Sequence, residues 1–271
     1  MPTLTTEQQE AIRVLVNSME LTNGIGTKEA ACSIAAINLA LTGELTDEIP
    51  DCMSEVIGTW IITTQDTLPD QLRNSEQWKF LLPAAAGTGR ELEAERVQIL
   101  VDWFWESIVP EAKLIIENSF IKDNAVFMGQ WEKALNGDIA MCEKAAMDVY
   151  LGVNNEFDIK ATTATCISCF CRGLCAMLTE LKLNQNPPAT LPYWYKNIEQ
   201  FHQSTRTYIA TIIADAVIDL LRPIKVRAIT NSLPKTEATN ASVNKDEEEL
   251  AFWQRINPAA VLKKLIDVTR T

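Results

Sequence analysis

Residues 84–109 read AAAGTGRELEAERVQILVDWFWESIV. Gly87 and Gly89 interrupt an alanine-rich helix, and the chain after them repeats with the helical period. Laid on a wheel of about 100° per residue, Leu92, Ile99, Leu100, Trp103 and Phe104 share one side. Glu91, Glu95, Asp102 and Glu106 fall within about 60° of one another on the other side. Thr88 and Glu91 have the spacing of a capping box, in which a hydroxyl and a carboxylate satisfy the first free N–H groups of a helix. The expected helix runs to about Val109, where Pro110 starts or kinks a continuation to about Phe120. The stretch is therefore helix, break, helix, with no strand before the glycines.

The same pattern extends in both directions. Thr5 and Gln8 have capping-box spacing ahead of Ile12, Leu15, Val16 and Met19, and Asn23-Gly24 stops that helix. Thr27 is placed to cap a second helix ending at Gly43, uncharged from Ala30 to Thr42 and so expected to be buried on most sides. A third helix starts between Asp47 and Asp51 and presents Met53, Val56, Ile57, Trp60 and Ile61. A fourth starts near Ser75. Longer helices follow over roughly 124–151, 157–183 and 192–222, judged by periodicity. Residues 231–249, NSLPKTEATNASVNKDEEE, are almost free of apolar side chains and read as a mobile linker. Asn257-Pro258 then has the cap and first-turn pairing of a last helix, after Phe252 and Trp253. The fold class is all-α, an array or bundle of about eight to ten antiparallel helices. Its expected divisions are an acidic N-terminal half (1–123), a long-helix half (124–230), the linker (231–249) and a C-terminal helical tail packing on the core (250–271).

Charge separates the halves. The formal net charge is -12, and residues 1–123 carry all of it, with 20 Asp/Glu against 8 Lys/Arg. An acidic surface repels phosphate backbones, so direct nucleic-acid binding is not expected, whereas a basic protein partner is compatible. Seven cysteines, an odd number spread through helical patterns, do not form a disulfide framework and point to a reducing cytoplasm. The N-terminus has no basic or apolar leader, and the most apolar window, Tyr208–Leu221, holds Asp215 and Asp219, so no membrane segment is expected.

Four groups of residues offer chemistry. Cys166, Cys169, Cys171 and Cys175 resemble a metal-binding run, but on a helix the last two sit at about 140° and 180° from the first. Close packing of small side chains is the expected role, with no metal site and no cofactor. His202 is the only histidine, so multi-histidine metal centres are excluded, and its surroundings show no nucleophile signature. Gly87, Thr88, Gly89 and Arg90 form a turn feeding a helix N-terminus, an arrangement that presents N–H groups to an anion. Arg96 falls on the apolar side of the wheel, with Glu93 one turn away. A buried guanidinium needs a partner, so either an ion pair with Glu93 or another carboxylate is expected, or a ligand-anchoring role. The acidic stripe Glu91, Glu95, Asp102 and Glu106 is a solvated face or a surface for a basic partner.

Three stretches, GTKEAACSIAAINLALTGELTDEIPDCMSEVIGTWI, LPAAAGTGRELEAER and FWQRINPAAVLKKLIDV, resemble a group of uncharacterised helical proteins of bacteria and their phages. These have alanine-rich helices, and some carry an immunity-protein label. The resemblance covers about the first 110 residues and the last 20, and it brings no catalytic residue with it. It implies a protein that works by binding. The expected function is a non-enzymatic binding protein of immunity or phage counter-defence type, acting on a protein partner. The alternative is a small-molecule or nucleotide binder using Gly87–Arg90 and Arg96.

Overall fold

The computed structural model describes residues 4–151, 159–192, 195–231 and 245–268. In chain order the helices are α1 (Thr6–Ser18), α2 (Ser33–Thr42), α3 (Glu55–Gln65), α4 (Asp70–Arg73), α5 (Glu76–Ala86) and α6 (Glu93–Trp103). They continue with α7 (Val109–Glu117), α8 (Ala125–Leu135), α9 (Ile139–Leu151), α10 (Ile159–Gln185), α11 (Ile198–Asn231), α12 (Lys245–Ile256) and α13 (Pro258–Asp267). Sheet among the described residues is limited to a parallel pairing of Glu20–Leu21 with Ala30–Ala31. The protein is all-α.

Several ends obey their local signals. Thr5 and Gln8 form the capping box of α1. Ser75 caps α5, and Asn257 caps α13 with Pro258 in its first turn. Elsewhere, tertiary bonds override the signal. Thr27 does not start a helix, because its hydroxyl accepts from Glu29 N and Ala30 N within a turn. The second helix begins later, capped by the Cys32 sulfur. Thr88 does not cap α6, because its hydroxyl donates back to Ala85 O and accepts from Ser54 N. The expected single helix over 124–151 is two, parted at Gly137, whose positive φ suits glycine. Residues 104–108 form a π-helical turn between α6 and α7. Pro110 has no N–H to give to the carbonyl four residues back, so the chain widens just before it. Of the expected linker, residues 232–244 lie outside the described residues, and Lys245–Glu249 open α12 instead. Acidic residues there complement the positive end of the helix dipole.

The chain divides into two compact units. Unit 1 holds Met1–Trp103, Leu191–Ala214 and Asn257–Thr271, and unit 2 holds Phe104–Thr190 and Asp215–Ile256. The boundary follows packing, not the charge division at residue 123. In unit 1, Trp60 packs between Trp78 and Trp103, with ring centroids 6.2 and 5.7 Å away. Trp78 Nε1 donates to Ser33 Oγ at 3.1 Å. Val261, Leu262 and Leu265 of α13 are buried, and α13 packs against α5 and α6.

Unit 2 is built on α9 and α10. Phe170 stacks on Phe104 at 5.6 Å and meets Trp131 at 5.9 Å. Ser168 Oγ donates to Ala146 O at 2.7 Å, a close approach allowed by small side chains. Arg255 grips the buried Glu111 through Nε and Nη2 at 2.6 and 2.7 Å. Thr162–Gln185 of α10 is, among the described residues, the one stretch long and apolar enough by length and composition to cross a membrane. Tyr208–Leu221, the most apolar window of the sequence, is shorter and holds Asp215 and Asp219. Ile167, Phe170, Cys171, Leu174 and Met177 of α10 are buried in the unit.

Candidate functional site

The turn between α5 and α6 is stitched to the segment that starts α3. Gly87 N and Thr88 N donate to Ala84 O and Ala85 O, and Gly89 N donates to Cys52 O at 2.9 Å. Three of the four N–H groups that were candidates for holding an anion, those of Gly87, Thr88 and Gly89, are therefore committed to the protein's own carbonyls. Arg90 lies over the same seam, with Nη1 2.6 Å from Glu55 Oε1 and Nη2 3.6 Å from Asp51 Oδ1. An incoming phosphate would have to displace all of these bonds. Exposed Glu91 also holds its carboxylate close to Gly89.

Glu93 and Arg96 are both about 1% exposed. The expected ion pair between them is not formed. Arg96 instead donates to three backbone carbonyls: Nη1 to Gly89 O at 2.8 Å, Nη2 to Thr88 O at 2.9 Å and Nε to Leu265 O at 3.2 Å. A planar fork of donors suits this task, since the ends of a turn and of a helix expose carbonyls that lack partners. Burial pulls the Arg96 pKa down, and the negative charge of Glu93, then Glu91 and Glu95, opposes that shift. Arg96 thus joins the turn to the last turn of α13.

Glu93 serves the start of α3. Its carboxylate accepts from Ser54 Oγ at 2.6 Å and Glu55 N at 2.8 Å, with Val56 N at 3.4 Å. Ser54 Oγ in turn accepts from Ile57 N. A carboxylate from another helix caps this N-terminus together with the local serine. Burial raises the Glu93 pKa, and these donors work against it. The wheel reveals that Glu93 faces inward, but nothing local reveals which helix it caps.

All four residues of the acidic stripe are exposed, but they do not share one helix. Glu91 precedes α6, Glu95 and Asp102 lie on it, and Glu106 sits in the π turn, where the 100° step no longer holds. Asp102 accepts from Gln98 Nε2 at 2.8 Å.

The cysteines separate by helix face, as their spacing requires. Cys166 and Cys169 lie near Asp219 and Arg222 of α11. Cys171 lies near Cys142 of α9, and Cys175 Sγ is 3.7 Å from Ile139 O. Burial pushes the Cys142 and Cys166 thiols up to about 12, and Cys171 further, so these three are poor nucleophiles. His202 packs edge-on against Phe201, with centroids 5.8 Å apart. No family model, no curated protein and no solved structure matches this chain.

Proposed function

We propose that the protein acts by binding and not by catalysis, and that it takes a basic protein partner on the exposed acidic side of unit 1. The role is of immunity or phage counter-defence type, in a cytoplasm. One observation carries the reading. Glu91, Glu95 and Asp102 are exposed, and among the described residues no cation lies within ion-pair distance of them. Their nearest cations in sequence, Arg90 and Arg96, are turned to Glu55, Asp51 and backbone carbonyls. The negative field is therefore left for a partner, where it steers association and disfavours acidic competitors. Seven unpaired thiols fit a reducing compartment.

The test is charge reversal at Glu91→Lys, Glu95→Lys and Asp102→Lys together. These exposed sites leave the core intact. Partners captured from the native host are compared between parent and variant at equal salt. A basic protein bound by the parent should bind the variant at least about tenfold more weakly, and the parent should release it as salt screens the charges. Equal capture of the same partner by both proteins would overturn the reading.

A further inference from the structure

A second feature of unit 1 faces solvent under the 44–52 segment. Asn38 of α2 is 5% exposed. Its Nδ2 donates to Thr46 O at 2.8 Å and Glu48 O at 2.7 Å. Both partners are acceptors, so the amide orientation is fixed: nitrogen toward the loop, oxygen away from it. Oδ1 has no hydrogen-bond donor, and it is not among the fully enclosed polar atoms. Asn38 lines a cavity of about 450 Å³ together with half-buried Leu41, Ile49 and Pro50 and the exposed carboxylates Glu44, Glu48 and Asp51. That volume lies in the range of small-ligand sites, about 300–1,000 Å³.

The three parts ask for one chemistry. An acceptor without a donor in the protein can take an N–H. Apolar walls call for methylenes. Exposed carboxylates call for positive charge. We propose that this cavity is a subsite for a cation on an aliphatic stem, the side chain of a lysine or arginine presented by the protein partner. A long basic side chain lays its methylenes on apolar walls and keeps its charge near carboxylates. The proposal rests on the binding role above, and it names what that partner inserts.

The test needs no partner, so its failure is distinct from failure of the wider reading. Purified full-length protein is titrated with n-butylamine, n-butylguanidine and neutral n-butanol, followed by NMR. Alkylation of Cys52, a half-buried residue on the cavity wall, is followed by peptide mass spectrometry. The two cations should saturate in the millimolar range and slow alkylation at Cys52 but not at Cys169 or Cys175. Butanol should do neither. Glu44→Gln with Glu48→Gln should weaken the cations about fivefold, as expected for two exposed charge pairs, and Leu41→Trp should abolish binding by filling the site. Failure of either cation to saturate, equal effects of butanol, or an unchanged double variant would each overturn the proposal. A short peptide bearing one lysine or arginine should bind more tightly than its free alkyl analogue. Putrescine binding more tightly than that peptide would assign the site to a free diamine and overturn the partner assignment.

Discussion

At the scale of single residues, Arg96 replaces one expected partner with three. Arg96→Met keeps much of the stem's packing but removes the donors to Thr88 O, Gly89 O and Leu265 O. Each bond to a charged group is worth about 1.5–3 kcal/mol, and water reaches some of the released carbonyls, so a loss of about 3–5 kcal/mol is expected in denaturant melts. Arg96→Lys should rescue little, because an ammonium on a flexible stem does not span three acceptors fixed by a planar fork. A lysine variant as stable as the parent would show that charge, not geometry, is what matters there. Asp219 makes a pH prediction. Burial raises its pKa to about 6, against the opposing pull of Arg222. The folded state therefore holds this proton more tightly than the unfolded chain. Its contribution to stability is complete below about pH 4, falls between about 4 and 6, and is gone above. Asp219→Asn should flatten that fall. With partial exposure discounted, it should stabilise the protein by about 1–2 kcal/mol at pH 8, where the parent keeps a half-buried carboxylate. Melting curves at pH 4, 6 and 8 decide it. The inward phase of Arg96 was legible in the sequence. Its partners were not, because one of them lies 169 residues further along the chain.

At the scale of elements, local signals were read correctly where the capping side chain has no competing partner, as at Thr5, Ser75 and Asn257. They failed at Thr27 and Thr88, where a turn and another segment take the hydroxyl. The polar start of α12 was taken for linker because its first turns lack the apolar residues that periodicity needs. Another contact invisible to pattern reading joins α3 to the 44–52 segment. A Cβ at Gly58 would fall 2.6–2.9 Å from three side-chain atoms of Ile49. Gly58→Ala thus sets a gain of about 1 kcal/mol in helix propensity against overpacking of about 1–3 kcal/mol. A net loss near 1 kcal/mol is expected, with recovery when Ile49→Ala is added. A single variant more stable than the parent would mean that Ile49 yields freely.

At the scale of the whole chain, helical class was plain from period and composition, whereas the division into units was not. Charge suggested a boundary at 123, but charge is a property of the surface. Packing is decided by which apolar faces meet, and it joins three separate stretches into unit 1. The last of these is not an accessory tail. Deleting residues 257–271 removes Val261, Leu262 and Leu265, each worth about 1.5–3 kcal/mol of burial, and takes one acceptor from Arg96. The truncated protein should lose at least about 5 kcal/mol and bind a hydrophobic dye. A truncated chain melting at the parent temperature would contradict this account.

The hydrogen bond from Arg96 to Leu265 also has a bearing on how the protein is made. At a translation rate of about 5–20 residues per second, roughly 10–30 s separate the emergence of its two ends from the ribosome. Throughout that interval the faces of α5 and α6 that receive α13 have no cover. Unit 1 therefore cannot close until α13 has been made, and until then the apolar residues of α5 and α6 stay open to water or to whatever binds nascent chains.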